Sequence, residues 1–327
     1  VHEADDNMTY LLRRLVTFPL VMLGVSVLVF VAIRLVPGDS ITALLGTEAG
    51  LLTPEQKQAL SAYFGIDQGW LVQYGRWLSG VITGNLGLSV TYGKPVLEVI
   101  LQRFPLTLEL ACLSVVIALV LGLPLGVFAA TRSGRGSDLS VRIFAMVGQS
   151  TPSFVFGLGI IYILSAGFGI LPAMGDYVPF TQDPIANLSQ LFFPALTLGL
   201  SFTASVTRIS RSAMLDVLSD DYVRTARSKG VARRNVIWRH ALPNALIPVI
   251  TLCGVEFGYL LGGAVLVEQI FALPGLGRMT LEAILQRDYA LVQGAVLFVA
   301  LNFMIVNLIV DLAYVALDPR IRLGSRS

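Results

Sequence analysis

The stretch Leu110–Thr131 reads LACLSVVIALVLGLPLGVFAAT and contains no charged residue. Glu109 bounds it on one side and Arg132 on the other. A helix needs about 20 mostly apolar residues to cross the hydrocarbon layer of a bilayer. The run meets that length without a break, so it predicts a membrane span. Working outward, five more apolar runs appear. Leu15–Ile33 follows Arg13-Arg14, and the uncharged 143–175 holds a span near 143–166 plus a loop. Pro184–Thr207 holds one near 191–209, 245–270 is interrupted by Glu256, and Tyr289–Val310 ends at Asp311.

Composition agrees. Across 327 residues, 55% are hydrophobic and only 13% charged, with a mean hydropathy of +0.74. A soluble domain carries about 25% charged residues, so this chain cannot solvate the surface of a soluble protein of its size. Continuous runs rather than alternating ones exclude a β-barrel. The scattered 31 Gly and 15 Pro exclude a collagen-like repeat. The first run is too long for a signal-peptide core, and Arg34-Leu-Val-Pro-Gly-Asp39 offers no A-x-A-like cleavage site, so a retained helix is expected. The fold expected is all-α, integral to the membrane, with six transmembrane helices.

Six spans place both ends on one side. With the N-terminus inside, the inner segments hold sixteen of the 23 Lys and Arg. Only Arg278 and Arg287 fall in the shorter outer loops, and the positive-inside rule then puts both termini in the cytoplasm. The resulting organisation is a cytoplasmic segment 1–14, a first span 15–36, an extracytoplasmic segment 37–103, a five-helix core 104–317 and a cytoplasmic tail 318–327. In the outer segment, Pro37-Gly38-Asp39-Ser40 signals a turn. Thr53-Pro54-Glu55-Gln56 signals a capped helix start. Leu60, Tyr63, Phe64, Trp70, Leu71, Tyr74, Trp77 and Leu78 recur as on short amphipathic helices, which anchor at the interface or meet an external partner.

The core carries a cytoplasmic loop at 210–243, the least ordinary segment of the chain. Within 208–240 lie eight Lys and Arg. Asp220 or Asp221 can cap a helix running to Lys229, and Gly230 can supply a left-handed stop. A second short helix is expected near 233–240, ending near Pro243. Tyr222, Val223 and Ala226 would share one face. A positive-inside loop touching anionic lipid explains the charge, and a docking element for a cytoplasmic protein explains the capped helix–Gly–helix as well.

Chemistry-bearing patterns are few. Cys112 and Cys253 fall inside spans, His2 and His240 are the only histidines, and no metal-ligand spacing occurs. No site for a metal and no catalytic residue is expected. The three Lys, at 57, 94 and 229, are followed by Gln, Pro and Gly, so no phosphate-binding G-x-x-x-x-G-K-[ST] exists. Glu256 sits about twelve residues into the fifth run, where burial of a carboxylate is costly without water or a partner. It either bonds a neighbouring helix or lines an aqueous path. Pro152, after Gln149-Ser-Thr151, removes a backbone hydrogen bond and kinks the third run. Glu256, Gln149 and Pro152 are the candidate translocation residues. Gly122/Gly126, Gly254/Gly258 and Gly258/Gly262 permit close helix contact.

Arg224-Thr225-Ala226, Gly230 and Leu242-Pro243 have the spacing of the EAA loop of ABC importer permeases. Arg and Thr replace the usual first two residues, a departure that resembles the oligopeptide/dipeptide/nickel branch. Tyr222–Gly230 and His240–Pro248 are similar to that branch almost throughout. So are Pro37-Gly38-Asp39, Gly84-Asn-Leu-Gly-Leu-Ser89, Gly262-Gly263-Ala264, Glu268 with Phe271 and Pro274-Gly275-Leu276-Gly277, Arg287-Asp288-Tyr289, and Asp318-Pro-Arg-Ile-Arg322. The resemblance implies a type I importer permease fold and coupling helices that dock on an ATPase through Tyr222, Arg224, Thr225, Ala226, Gly230, Leu242 and Pro243. It also implies no cofactor on this chain, with ATP and Mg on two partner ATPase subunits. A second homologous permease chain (a heterodimer) and an extracytoplasmic substrate-binding protein complete the expected assembly. The membrane would be the bacterial inner membrane, the cargo a short peptide. Nickel or another small solute is the alternative within the family, and an ion-coupled secondary transporter the alternative outside it. Nucleic acid has no place in either.

Overall fold

In the computed structural model, residues 2–35, 52–56, 68–170, 177–262 and 264–317 are described, with side chains between 17 and 312. The turn at Pro37–Ser40, Leu60, Tyr63, Phe64, Gly263, and the terminal segments 1 and 318–327 lie outside the described residues.

The described chain is helical apart from one short hairpin. Its elements are α1 (His2–Arg34), α2 (Trp70–Ile82), β1 (Leu88–Ser89), β2 (Lys94–Pro95), α3 (Val96–Thr131), α4 (Gly136–Ser150), α5 (Ser153–Phe168), α6 (Pro184–Ser219), α7 (Asp221–Ser228), α8 (Arg233–Asn235), a π turn (Val236–Ala241), α9 (Leu242–Leu261), α10 (Val265–Ile270), α11 (Leu276–Leu285) and α12 (Tyr289–Leu317). Among the described residues, five helices are long and apolar enough to cross a membrane, and the bent pair α4–α5 would make a sixth.

The third apolar run is therefore not one helix. Pro152 has no N–H to donate and sits as the N-cap of α5, with Thr151 extended before it. The two helices meet at 100°, a break rather than the expected kink. The second run is longer than its apolar part. α3 begins at Val96, so 96–103 continues into the same helix as the second apolar run, and Glu109 lies inside a 36-residue helix instead of at its edge. Charges at Glu98 and Arg103 marked the limit of an apolar run, but helix propensity does not stop at charge.

The chain divides into two compact units. One comprises Val1–Thr107 and Pro274–Ile305, the other Leu108–Leu273 and Val306–Arg320. In the first, Phe30 of α1 packs on Tyr74 and Trp77 of α2, with ring centroids 5.1 and 5.7 Å away. Ser26 and the Tyr74 hydroxyl share a 2.7 Å hydrogen bond, and Arg34 donates to Gln73 Oε1 at 2.7 Å. Thr53 and Gln56 form the expected reciprocal capping pair. Leu88 pairs with Pro95 and Ser89 with Lys94. A core of Val96, Ile100, Leu276, Met279 and Leu291 lies beside the hairpin.

The hairpin is held by Asp288, which is 1% exposed. One carboxylate oxygen accepts from Ser89 Oγ at 2.5 Å and from the Thr91 N–H at 3.0 Å. The other caps α12 by accepting from the Leu291 N–H at 3.1 Å. Two stretches recognised separately in the sequence, 84–89 and 287–289, thus complete one another.

In the second unit α6 is the central post, packed by α4, α5 and α9. Close approach of α3 depends on missing side chains. A Cβ on Gly122 would lie 2.9 Å from the Thr203 carbonyl, and one on Gly126 would fall on Ser210 Oγ. A Cβ on Gly254 would collide with Val310. These glycines are used within the chain. At the start of α4, Asp138 accepts two hydrogen bonds from Arg211 of α6, at 2.6 and 2.8 Å, and a third from the Gly134 N–H. The planar guanidinium matches a carboxylate in this two-point geometry, which fixes the angle between the helices.

Candidate functional site

α6 ends where Asp220 turns extended, with φ −65° and ψ 149°. Asp220 stands at the N-cap of α7 but its side chain makes no capping bond, and neither does Asp221. The Asp220 carbonyl instead accepts from the Arg224 N–H, and Asp221 pairs with the Arg224 guanidinium at 3.4 Å in full solvent. Such an exposed pair adds little to stability and leaves both groups available.

The C-terminus of α7 matches its sequence. Gly230 has φ +77°, the left-handed conformation that glycine adopts without steric cost. The Gly230 N–H donates to Arg227 O and the Val231 N–H to Ala226 O, the paired bonds of a Schellman stop. The helix cannot continue, and the chain reverses after two turns.

The return segment differs from expectation. No separate helix ends near Pro243. α8 passes through a π turn at Val236–Ala241 straight into α9. Pro243 lies in the first turn of α9, directly after the π turn. The wider π turn accommodates the extra residue within an unbroken rod. The return segment and the fifth apolar run are one element.

Of the seven residues expected to dock, Tyr222, Arg224, Thr225, Gly230 and Pro243 are exposed and Ala226 is half-buried. Leu242 is not on that surface: it is 9% exposed and packs with Val127, Ala213, Met214 and Ala245. Its apolar side chain anchors the return segment to α3 and α6. Val223, expected beside Tyr222, is likewise fully buried, because adjacent helical residues point about 100° apart. Tyr222 is exposed but not free. It donates to the His240 carbonyl at 3.2 Å and accepts from Asn244 Nδ2 at 2.6 Å. It thereby ties α7 to the π turn and to α9.

A cavity of about 550 Å³ lies beside these helices, lined by the ends of α3 and α6, by Arg227 and Val231, and by Arg233, Val236 and Ile237. Arg233 also donates to the Thr131 carbonyl at 3.0 Å, where the α3 dipole presents its negative end.

The three translocation candidates do not form one cluster. Gln149 is exposed on α4 and reaches Ser205 of α6 at 3.4 Å. Pro152 is exposed at the α4–α5 break. Glu256 is half-buried on α9, with no hydrogen-bond donor to its carboxylate among the described residues. Near the start of α6, Asn187 donates to Glu109 of α3 at 2.7 Å and to the Val178 carbonyl at 2.8 Å. Burial, ahead of this neighbouring carboxylate, pushes the nearby Tyr177 phenol above its ordinary range. In the sequence Glu109 marks only the boundary of an apolar run. Asn187, 78 residues away, carried no local sign of the contact.

Comparison with known proteins agrees with this architecture. Residues 122–323 match the family described as binding-protein-dependent transport system inner membrane component. Residues 7–111 match the N-terminal region of such membrane components. The dipeptide transport system permease protein DppB of Escherichia coli K12 is 38% identical over 96% of this chain and 98% of its own length. A protein of Sinorhizobium fredii named "Probable peptide ABC transporter permease protein y4tP" is 38% identical over 96% of this chain and 99% of its own. Among solved structures, an inward-facing MetNI methionine ABC transporter superposes with a TM-score of 0.53 at 17% identity, covering 68% of this chain and 97% of that one. This last likeness concerns the fold. The chain is a multi-pass membrane protein and belongs to the binding-protein-dependent transport system inner membrane components, the permease subunits of ABC importers.

Proposed function

We propose that this permease passes short peptides across the bacterial inner membrane and that α7, with the return segment through Pro243, receives the movement of a partner ATPase. The observation that carries the coupling reading is the tie from Tyr222 to His240 and Asn244. A helix that exposes Arg224 and Thr225 is bonded through Tyr222 to the element that continues into α9. A displacement imposed on α7 is passed to α9 through these bonds and through the buried Val223, and α9 carries Glu256. Two ATPase subunits supply ATP and Mg; an external binding protein delivers the cargo; a second, homologous permease completes the path as a heterodimer. Both termini are cytoplasmic, as the placement of basic residues supports. The peptide cargo is supported by the names of the relatives above.

Motion of this kind is a rigid-body transition between two states, biased by nucleotide on one side and cargo on the other. The test is reconstitution of the permease pair with its ATPase in liposomes, with and without Gly230→Asp. The variant is expected to keep its folded spans and lose peptide-stimulated ATP hydrolysis. Undiminished coupling in the variant would overturn the docking role of α7. Glu256→Gln is expected to lower peptide-stimulated ATPase activity, and unchanged activity would remove Glu256 from the path.

A further inference from the structure

The cavity beside α7 has features that docking does not use. Its walls are apolar at Ala130, Leu215, Leu218, Val236 and Ile237, and among the described residues its only charged lining groups are Arg227 and Arg233, with no acidic side chain. Arg233 is partly engaged by the α3 terminus, whereas the Arg227 guanidinium has no partner among the described residues. The cavity is thus amphiphilic: a cationic edge on an apolar floor.

Its height in the membrane follows from helix register. The uncharged part of α3, Leu110–Thr131, is 22 residues long, about 33 Å at a rise of about 1.5 Å per residue. That matches the hydrocarbon thickness of about 30 Å. Thr131 therefore marks one edge of the hydrocarbon. Gly126 lies against Ser210 and the Arg211 backbone, so one turn further on Thr131 stands level with Leu215. Both line the cavity. It opens where acyl chains give way to headgroups.

We propose that this cavity binds an anionic phospholipid. The phosphate takes Arg227 and Arg233, and the upper acyl chain lies on Leu215, Leu218 and Ile237. Charge complementarity and depth both select this occupant. A zwitterionic lipid brings no net charge to the two guanidinium groups. A soluble anion has no use for the apolar floor. That the lipid comes from the inner leaflet rests on the orientation proposed above. A bound lipid would join the ends of α3 and α6 to α7, and so stiffen the connection between span and coupling helix.

The test uses the complete permease–ATPase complex, without nucleotide, in nanodiscs of phosphatidylcholine and phosphatidylglycerol. Lipid retained after mild delipidation is identified by native mass spectrometry. The wild type is expected to retain phosphatidylglycerol over phosphatidylcholine. Arg227→Gln is expected to lower that retention roughly fivefold, Arg227→Lys to preserve it, and the cavity-filling Leu218→Trp to abolish it. Equal retention in wild type, Arg227→Gln and Leu218→Trp would overturn the proposal. Displacement of the lipid by millimolar inorganic phosphate would do so too, since it would mark a site for a free anion. Absence of retained phosphatidylglycerol from the wild-type complex would assign the cavity to the ATPase instead. Retention is read without ATP or cargo, so it can fail while coupling survives, and Gly230→Asp is expected to leave it unchanged.

Discussion

Two regions rich in family-like sequence use their polar residues in opposite ways. Around Asp288 they turn inward. Ser89, Thr91 and Leu291 all donate to one carboxylate that is 1% exposed. Around α7 they turn outward. Arg224 and Thr225 stand in solvent, and their side-chain bonds are local ones to Asp221 and Ser219. A buried network whose members are all satisfied fixes a conformation. An exposed set with spare hydrogen-bonding capacity awaits a second surface. Family-like sequence thus falls on internal support in one place and on exposed, locally bonded residues in the other.

The contrast predicts separable mutant classes. Asp288→Ala strands three donors in or near the core and is expected to cost about 3–5 kcal/mol, seen as a large drop in thermal midpoint of the detergent-solubilised chain. A small effect there would break the contrast at its root. Gly126→Leu forces α3 away from Ser210 and is expected to cost about 1–3 kcal/mol, with loss of any crosslink between cysteines placed at 123 and 206. Gly230→Ala retains the α7 fold against a left-handed backbone and is expected to cost about 1 kcal/mol. Hydrogen exchange should rise at 221–231 and not at 88–95. Arg224→Ala is expected to leave the thermal midpoint unchanged while weakening ATPase association, measured by co-purification. A shift in midpoint without weaker association would place Arg224 among the structural residues and sharpen the boundary between the two classes.

What the sequence made legible follows the range of the forces involved. Apolar runs located the spans because desolvation acts residue by residue. Gly230 and the Thr53–Gln56 capping pair were legible because each bond closes within a few residues. The start of α3 at Val96 was missed because charge limits an apolar run without limiting a helix. The 100° break at Pro152 was foreseen only as a kink, since the missing N–H is local but the angle is set by packing on α6. Arg287-Asp288-Tyr289 was legible as a family-like stretch, yet nothing near it announced Ser89, 199 residues away. Leu242 was placed on the docking surface by motif position. Its neighbours Val127 and Met214 put it inside, and no local pattern carries that information.

α6 has one more consequence. Its 36 residues extend about 54 Å, well beyond the hydrocarbon thickness of about 30 Å. The Arg211–Asp138 clasp grips it toward its C-terminal end, and Asn187 holds it near its start. A long spar that pivots about one end turns a small rotation into a large displacement of the other. A tilt of about 5° about one end sweeps the other through about 5 Å, close to one helical turn. Little deformation within the post itself is needed for a modest push at one end to reach the opposite face of the bilayer.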